Sequence, residues 1–281
     1  MTVDILICTL DSRIKDVVSV IMEARENIRY IVSMQYTSPE YLKDIPKELK
    51  EREDVDIFTL EGRGLSRNRN FALSKSKADI CIVSDDDARY KEEYINTVLQ
   101  IYESNKDTDI ALFQTISSKG IFHKKYPENR MSYAKAEQLY YYPTSVEITF
   151  RRDRILKAGI SFNEHYGLGA DFLVSGEESV FLKDAEDARL TVEYFPHVIA
   201  ESPLDTTGEH FLTDIRVQRS KGATFCYCYG LCKAVYLCLK ECAFYLFHKG
   251  ANPFPLMRNM ADGIIYCKNI VWRQQTAALR S

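Results

Sequence analysis

Short apolar runs alternate with longer amphipathic segments over the first 116 residues of the chain. Each run is rich in β-branched residues and ends in polar ones, which predicts a buried strand. The predicted strands are residues 3–10, 29–35, 55–61, 79–84 and 109–116. Apolar side chains recur at helical spacing in the segments between them, which predicts helices at residues 12–28, 66–77 and 91–105, the first two capped by Ser12 and Ser66. Strands that alternate with helices indicate a parallel α/β sheet with helices on both faces.

The pattern changes after residue 116. Residues 117–145 show weak periodicity and many tyrosines, which indicates a long excursion over the sheet. Residues 146–164 return as a strand, a helix that stops at Gly159 and a turn, and a further helix begins near Ser175 or Gly176. A late strand covers residues 190–200, and from about residue 211 onward the pattern is mostly helical.

Composition narrows the class of protein. The chain has 281 residues, which suits one large domain or one domain with an appendage. Its net charge is −3, and without a general basic field we expect no nucleic-acid partner. The N-terminal residues carry Asp4 and lack the basic start of a secretion signal. We therefore expect a cytoplasmic protein whose eight cysteines are reduced thiols used as small apolar side chains.

Residues 225–247 are the most hydrophobic stretch of the chain. Lys233, Lys240 and Glu241 interrupt this stretch. A transmembrane helix needs about 20 apolar residues with few charges, so we reject a membrane span. Two interpretations stay open: a helix packed on the main domain, and an interfacial helix whose aromatic residues and lysines make peripheral contact with the inner membrane face.

Three consecutive aspartates, Asp85, Asp86 and Asp87, follow the predicted strand at residues 79–84. In α/β sheets of this kind, ligands bind outside the carboxyl ends of the strands. Adjacent like charges repel unless positive charge compensates them, and Mg²⁺ or Mn²⁺ bound through oxygen ligands would supply it. Taken alone, the three residues fit both a metal-bridged diphosphate and a solvated acidic turn.

A glycine-containing segment precedes the aspartates. Gly62 and Gly64 would let the backbone approach a ligand closely, and the helix start that follows favours anions. Arg67 and Arg69 suit phosphate. A loop with solvated basic residues accounts for the same pattern.

In this order, the motifs resemble those of glycosyltransferase family 2, the inverting nucleotide-sugar transferases with the GT-A fold. The residues that carry the resemblance are Gly64-Leu65-Ser66, Arg69-Asn70, Asp85-Asp86-Asp87, residues 148–167 and Gly176-Glu177-Glu178. Two positions depart from the family pattern, because Ala72 stands where the family has glycine and Glu178 where it has aspartate. The resemblance covers roughly residues 3–210.

The resemblance implies a GT-A domain with a central mixed sheet at residues 1–210 and a helical C-terminal extension at residues 211–281. It implies that Mn²⁺ or Mg²⁺ is held by Asp87, Asp85 and His210. The residues implied to bind the nucleotide-sugar are Thr9, Asp11, Arg13, Gly64, Ser66, Arg69, Asn70, Asp85 and Asp86. The implied catalytic base is Glu178 or Glu177, and the sequence leaves open which of the two acts.

The implied reaction transfers a sugar from a nucleotide-diphosphate sugar, most often a UDP-sugar in this family, to a hydroxyl of a glycan or lipid-linked acceptor. The anomeric configuration inverts, and the usual context is cell-surface polysaccharide synthesis. A nucleotidyltransferase of related fold is one alternative, although residues 9–16 lack a glycine-rich phosphate loop. A non-catalytic sugar- or nucleotide-binding scaffold is the other, because of the departure at Glu178.

Overall fold

The structure, a computed structural model, describes residues 1–203 and 207–272, without the side chains of residues 207–209. This part of the chain forms two compact units. The sheet unit comprises residues 1–63, 67–161 and 184–203, and the helical unit comprises residues 64–66, 162–183 and 207–272. A domain boundary at residue 210 stays a prediction, and residues 273–281 of the predicted extension lie outside the described residues.

The sheet unit is built on strands that match the apolar runs of the sequence. Within the described residues, the strands are β1 (Val3–Leu10), β2 (Ile28–Tyr36), β3 (Val55–Glu61), β4 (Ile80–Asp85), β5 (Ile110–Ile116), β6 (Met131–Ser132), β7 (Ile148–Arg151) and β8 (Val192–Glu201). They form one sheet in the order β3-β2-β1-β4-β7-β5-β8-β6. Seven residues of β1 are buried in succession, which explains why this strand reads as a continuous apolar run rather than an alternating one.

The sheet is mixed. β1 pairs in parallel with both β2 and β4, and β2 pairs in parallel with β3. β7 runs antiparallel to both β4 and β5. It enters the sheet after the long excursion rather than after a helical crossover, so the wholly parallel sheet predicted from the strand–helix alternation is wrong. The mixed sheet that the family resemblance implies is confirmed.

Helices fill most of the remaining described chain. The α-helices there are α1 (Lys47–Lys50), α2 (Leu65–Lys75), α3 (Glu92–Ser104), α4 (Tyr133–Gln138), α5 (Arg152–Lys157), α6 (Glu177–Asp187), α7 (Ile215–Tyr229), α8 (Leu231–Lys249) and α9 (Pro253–Tyr266). Short 3-10 helices cover Asp11–Ser19, Pro39–Asp44, Ser145–Glu147 and Thr207–Leu212, and Cys267–Val271 is a π-helix. The helices predicted at residues 91–105, near Ser175 and after residue 211 are confirmed.

The helix predicted at residues 12–28 is shorter than expected and is a 3-10 helix over Asp11–Ser19. Ile14 and Val17 are the buried residues of this helix, and Val20 follows its last residue. All three are at most 1% exposed. Their spacing of three matches the three residues per turn of a 3-10 helix, so this winding buries them along one line. Ser12 therefore lies inside the helix and does not cap it.

The helix predicted at residues 66–77 begins one residue earlier, at Leu65. Ser66 therefore does not cap it either. Instead, the Ser66 hydroxyl donates a hydrogen bond of 2.7 Å to the carbonyl oxygen of Tyr166. The side chain that the local pattern predicted as a helix cap therefore makes a tertiary hydrogen bond instead.

The helical unit is held together by a close crossing of α7 and α9. A Cβ atom on Gly222 of α7 would lie 2.0 Å from the carbonyl oxygen of Met260, and one on Gly263 of α9 would lie 1.9 Å from that of Arg219. Only glycine lets the two backbones approach this closely. Buried side chains from both helices, including Ala223 and Met260, complete the core beside the crossing.

All eight cysteines lie within the described chain and are free, and six of them are buried, while Cys228 is half-buried and Cys232 is exposed. Burial raises the pKa of the Cys8 and Cys81 thiols to about 12, so both stay protonated and pack as apolar groups. Among the helices of residues 1–203 and 207–272, none combines the length and the apolar character that crossing a membrane requires.

Candidate active site

The three aspartates lie at the carboxyl ends of β1 and β4. The two strands pair in parallel with Cys8 opposite Asp85, so the residues that follow both strands meet at one edge of the sheet. Thr9 and Arg13 come from the β1 side and contact Asp86 from the β4 side. The sequence predicted the aspartates at a strand end, the family resemblance implied Thr9 and Arg13 at the same site, and the structure brings them together.

Asp86 is buried and neutralised by residues from the β1 side. Its side chain is 6% exposed. It accepts a hydrogen bond of 2.7 Å from the Thr9 hydroxyl and bonds of 2.9 and 3.1 Å from Nε of Arg13. Nη2 of Arg13 completes the ion pair, and the hydrogen bond to Asp86 raises the pKa of Arg13. A buried carboxylate needs such partners, and these contacts satisfy that need without any external cation.

Asp85 contacts one residue of α2 and one residue of the 3-10 helix Ser145–Glu147. Nη2 of Arg69, whose side chain is 2% exposed, lies 3.3 Å from Oδ1 of Asp85. The Ser145 hydroxyl donates a hydrogen bond of 3.0 Å to Oδ2 of the same carboxylate. Sequence reasoning missed Ser145. The capping box formed by Thr144 and Glu147 would have predicted the 3-10 turn that carries this residue, but not its contact with Asp85.

Asp87 is the least compensated of the three carboxylates. Its side chain is 41% exposed, and Nη2 of Arg13 lies 3.2 Å from its Oδ2. Partial burial raises the pKa of Asp87, and the neighbouring charges of Asp85 and Asp86 raise it further. The ionised form of Asp87 is therefore disfavoured in the folded protein, and a bound cation would relieve it.

The donor chemistry of the cluster fits a divalent cation. Asp85 and Asp87 offer hard oxygen ligands from the same turn, and Asp87 carries under-compensated charge. Mg²⁺ is commonly bound by one or two carboxylates together with substrate phosphates, rather than by a complete protein cage. Residues 1–203 and 207–272 contain no group of three or more His, Cys, Asp or Glu side chains arranged to hold a metal by themselves.

Asp11 supports the end of β2. It has φ of 53°, in the left-handed region, at the turn that follows β1. Its carboxylate accepts hydrogen bonds of 2.7 Å from the backbone N–H of Thr37 and 2.9 Å from the Thr37 hydroxyl. That Asp11 takes part in nucleotide binding stays a prediction.

Asn68 joins α2 to the sheet, and the sequence analysis did not single it out. Its side-chain amide donates hydrogen bonds of 3.2 Å to the carbonyl oxygen of Thr9 and 3.1 Å to that of Ser33. It thereby ties the helix to the carboxyl ends of β1 and β2 beside Arg69. The signal in the sequence was an asparagine next to an arginine, and this pair is too common to be specific. Asn70, two residues after Asn68 on α2, is half-buried. Its role in donor binding stays a prediction.

Gly64 and Ser66 belong to the helical unit. Gly64 has φ of 127°, a conformation that favours glycine. The backbone N–H of Leu65 donates a bond of 2.8 Å to the carbonyl oxygen of Leu168, parallel to the bond from Ser66 to Tyr166. These bonds clamp the start of α2 to the loop at residues 166–168. Contact of Gly64 or Ser66 with the donor stays a prediction.

The two candidate bases differ in accessibility. Glu177 is 4% exposed, and its Cδ lies 3.2 Å from where a Cβ on Gly167 would stand, so this side chain is packed under the loop. Glu178, the next residue on α6, is half-buried and therefore partly open to solvent. An acceptor hydroxyl must reach the base, and this requirement favours Glu178 over Glu177.

The segment before the two glutamates is fixed on α7. The Ser220 hydroxyl accepts a hydrogen bond of 2.8 Å from the backbone N–H of Val174 and one of 3.3 Å from that of Ser175. Gly176 has φ of 97°, and a Cβ there would lie 2.2 Å from Oγ1 of Thr224. The start of α6 is therefore positioned by residues of the C-terminal helices.

His210 lies within the 3-10 helix Thr207–Leu212 that precedes α7. It lines a cavity of about 640 Å³ together with Asp214, Arg216 and Arg219. Its backbone carbonyl accepts hydrogen bonds of 3.0 and 2.8 Å from the N–H groups of Thr213 and Asp214. His210 as a metal ligand stays a prediction.

The sequence model of the family described as glycosyl transferase family 2 matches residues 7–165, more than half of the chain. The chain belongs to glycosyl transferase family 2. The family match includes the aspartates but ends before Glu177 and Glu178.

Solved structures confirm the GT-A fold of this family 2 chain. S. aureus TarS 1–349 in complex with UDP-GlcNAc aligns with a TM-score of 0.59 at 14% identity, over 89% of this chain and 74% of that one. Glucosyl-3-phosphoglycerate synthase from Mycobacterium tuberculosis in complex with Mn²⁺, UDP and phosphoglyceric acid aligns with a TM-score of 0.54 at 12% identity, over 81% and 78%. The same synthase in complex with Mg²⁺ and UDP gives a TM-score of 0.52 at 12% identity, over 81% and 79%. No curated protein sequence matches the chain.

Proposed function

We propose that this family 2 glycosyltransferase moves a sugar from a UDP-sugar to a hydroxyl of a glycan or lipid-linked acceptor, with inversion at the anomeric carbon. The observation that carries the proposal is the pair Asp85 and Asp87 at the carboxyl end of β4, with raised pKa at Asp87 and an arginine beside each carboxylate. Such a cluster suits a diphosphate bound through a divalent cation. Assembly of cell-surface polysaccharide is the context we infer from the family.

The nucleotide and the metal are inferred partly from similar folds. TarS is solved with UDP-GlcNAc, and the mycobacterial synthase with UDP and either Mg²⁺ or Mn²⁺. These complexes support UDP as the nucleotide and Mn²⁺ or Mg²⁺ as the cofactor of this chain.

Asp87 and Asp85 would hold the cation together with the substrate diphosphate. When bound, the cation would neutralise charge on the diphosphate that leaves with the nucleoside. Arg13 and Arg69 add fixed positive charge on either side of the aspartates. Asp86 holds Arg13 in place, because its carboxylate accepts hydrogen bonds from the Thr9 hydroxyl and the Arg13 guanidinium.

We assign the base to Glu178. Its carboxylate takes the proton from the acceptor hydroxyl as that oxygen attacks the anomeric carbon, and the bond from that carbon to the diphosphate oxygen breaks. Attack from the face opposite the diphosphate inverts the configuration. Glu177 serves instead to pack the loop at Gly167 against the start of α6.

Calorimetric titration of the whole chain with UDP, GDP, dTDP and CMP, each with and without Mn²⁺, tests the proposal. We expect tight binding of UDP that depends on Mn²⁺, because the aspartates need a cation before they accept a diphosphate. Binding of a nucleoside triphosphate with release of diphosphate would support a nucleotidyltransferase instead. UDP-sugar binding without transfer to any acceptor would support a sugar-binding scaffold.

Asp87→Asn is expected to abolish Mn²⁺-dependent UDP binding without lowering thermal stability. Because the pKa of Asp87 is raised in the folded state, the folded protein binds this proton more tightly than the unfolded chain does. Stability therefore falls as the pH rises through the interval between the two pKa values, and the neutral amide removes that penalty at pH 7. Titration calorimetry and thermal unfolding at pH 7 measure the two effects.

Asp56→Asn is the matched control for this substitution. Asp56 is 39% exposed and pairs with Arg29 at 2.6 Å on the edge of the sheet. UDP affinity should be unchanged in this variant. Unchanged Mn²⁺-dependent affinity in Asp87→Asn would overturn the role given to Asp87.

A further inference from the structure

The outward face of α8 is apolar where a solvated helix would be polar. Ala234, Cys238 and Cys242 form its buried stripe, at a spacing of four residues. The opposite side carries large hydrophobic side chains, with Tyr236 at 63%, Leu239 at 55% and Phe247 at 81% exposure. A helix that packs its core on one side and shows a second apolar face on the other presents a docking surface.

The apolar face continues around the turn that joins α8 to α9. Gly250 ends α8 in the left-handed conformation, and the Asn252 side chain caps α9 by accepting a hydrogen bond of 3.1 Å from the N–H of Phe254. Phe247 and Phe254 flank this turn and are 81% and 82% exposed, more than any other large hydrophobic residue of the described chain. The turn therefore presents two phenylalanine rings at its tip.

The chain around this tip carries positive charge and no negative charge. No aspartate or glutamate occurs between Glu241 and Asp262, a segment that contains His248, Lys249 and Arg258. Glu241 itself is bound to Lys221, with 3.0 Å between its Oε1 and the lysine Nζ. Lys233 and Lys240 add two more cationic residues to α8. Exposed aromatic and aliphatic residues surrounded by basic ones are the composition of an interfacial helix.

We propose that the outer face of α8 and its turn to α9 dock on an anionic phospholipid bilayer, with Phe247 and Phe254 inserted at the headgroup level. Lys249 and Arg258 would pair with lipid phosphates on either side. A second copy of the chain is a poorer occupant, because its identical face would bring like charges together. The contact is peripheral and stands independently of the sugar transfer proposed above.

The proposed surface covers a different range from the one expected from the sequence. That expectation covered residues 225–247, but Tyr227 is 8% exposed and Phe225 packs against the core of the helical unit. Within residues 225–229, Cys226 and Tyr227 are buried and the other three residues are half-buried. Phe254 and Arg258, outside the expected range, belong to the proposed surface.

Vesicle co-sedimentation with the full chain tests the proposal. Vesicles of phosphatidylcholine alone and of phosphatidylcholine mixed with phosphatidylglycerol are the two surfaces. We expect binding to the anionic vesicles, weakened by salt, and little binding to the neutral ones. The double substitution Phe247→Ser and Phe254→Ser should weaken binding by about tenfold or more, given the apolar area that two rings bury. Lys249→Glu with Arg258→Glu should weaken binding to the anionic vesicles alone.

A matched control lies in the sheet unit. Ile121 and Phe122 are 54% and 51% exposed, and their double replacement by Ser should leave vesicle binding unchanged. Circular dichroism and UDP titration confirm that each variant is folded. The proposal would be overturned if this control lost as much vesicle binding as the Phe247→Ser and Phe254→Ser variant. It would also be overturned if the unsubstituted chain bound no vesicles. A dimer in light scattering that the Phe247→Ser and Phe254→Ser pair dissociates would overturn it as well, because a second copy would then cover the face.

Discussion

Glu178→Gln is expected to slow sugar transfer by about 10²–10⁴-fold, the range that a positioned general base supplies, while UDP-sugar affinity stays unchanged. The amide keeps the size of the side chain but cannot accept the acceptor proton. Single-turnover transfer, measured beside calorimetric titration of the donor, separates the chemical step from binding.

Glu177→Gln is the control for this assignment. It changes the adjacent residue on the same helix, at a buried position packed under Gly167. If packing is its role, this variant should lose thermal stability and retain most of the transfer rate. Normal turnover in Glu178→Gln would sink the assignment, and a large rate loss in Glu177→Gln alone would move the base to Glu177.

Gly222→Ala or Gly263→Ala is expected to destabilise the helical unit at the upper end of about 1–3 kcal/mol, the cost of overpacking a well-packed contact. Each added methyl would meet a backbone carbonyl oxygen at 2.0 or 1.9 Å, and a backbone cannot rotate aside as a side chain does. The helices would have to separate along the crossing. Urea denaturation followed by circular dichroism measures the change in the free energy of unfolding.

Gly250→Ala provides a control for the same chemical change. No atom lies within 4 Å of a Cβ at Gly250, and its backbone is left-handed, with φ of 63° and ψ of 19°. Its cost is therefore only that of holding alanine in the left-handed region, about 1–2 kcal/mol. A loss at Gly222 and Gly263 no larger than the loss at Gly250 would contradict the close crossing of α7 and α9.

Much of the fold was predictable because it depends on short-range patterns. The apolar runs gave β1 to β5 within a residue or two, since a strand buried on both faces has little choice but β-branched and aliphatic residues. The insertion of β7 between β4 and β5 was not predictable. It depends on where the excursion at residues 117–145 returns, and no local periodicity records a long-range pairing.

The candidate site was likewise predictable only in part. Asp85, Asp86 and Asp87 were recognisable as a group, but their different environments were not. The partner of each carboxylate comes from distant sequence: Thr9 and Arg13 for Asp86, Arg69 and Ser145 for Asp85. Accessibility alone separates Glu178 from Glu177, and accessibility is set by the loop at residues 166–168 and by α7 rather than by the neighbouring sequence.

The anchoring of residues 174–176 on α7 has a consequence for the order in which the protein matures. The sheet unit needs nothing after residue 203 for its strands and can form while the chain is still being synthesised. Val174, Ser175 and Gly176 acquire their supports only when Ser220 and Thr224 have left the ribosome. The strands of the sheet unit are thus complete early, and the proposed base is positioned only once α7 has formed. A nascent or C-terminally shortened chain would hold a folded sheet but lack the supports of the proposed base.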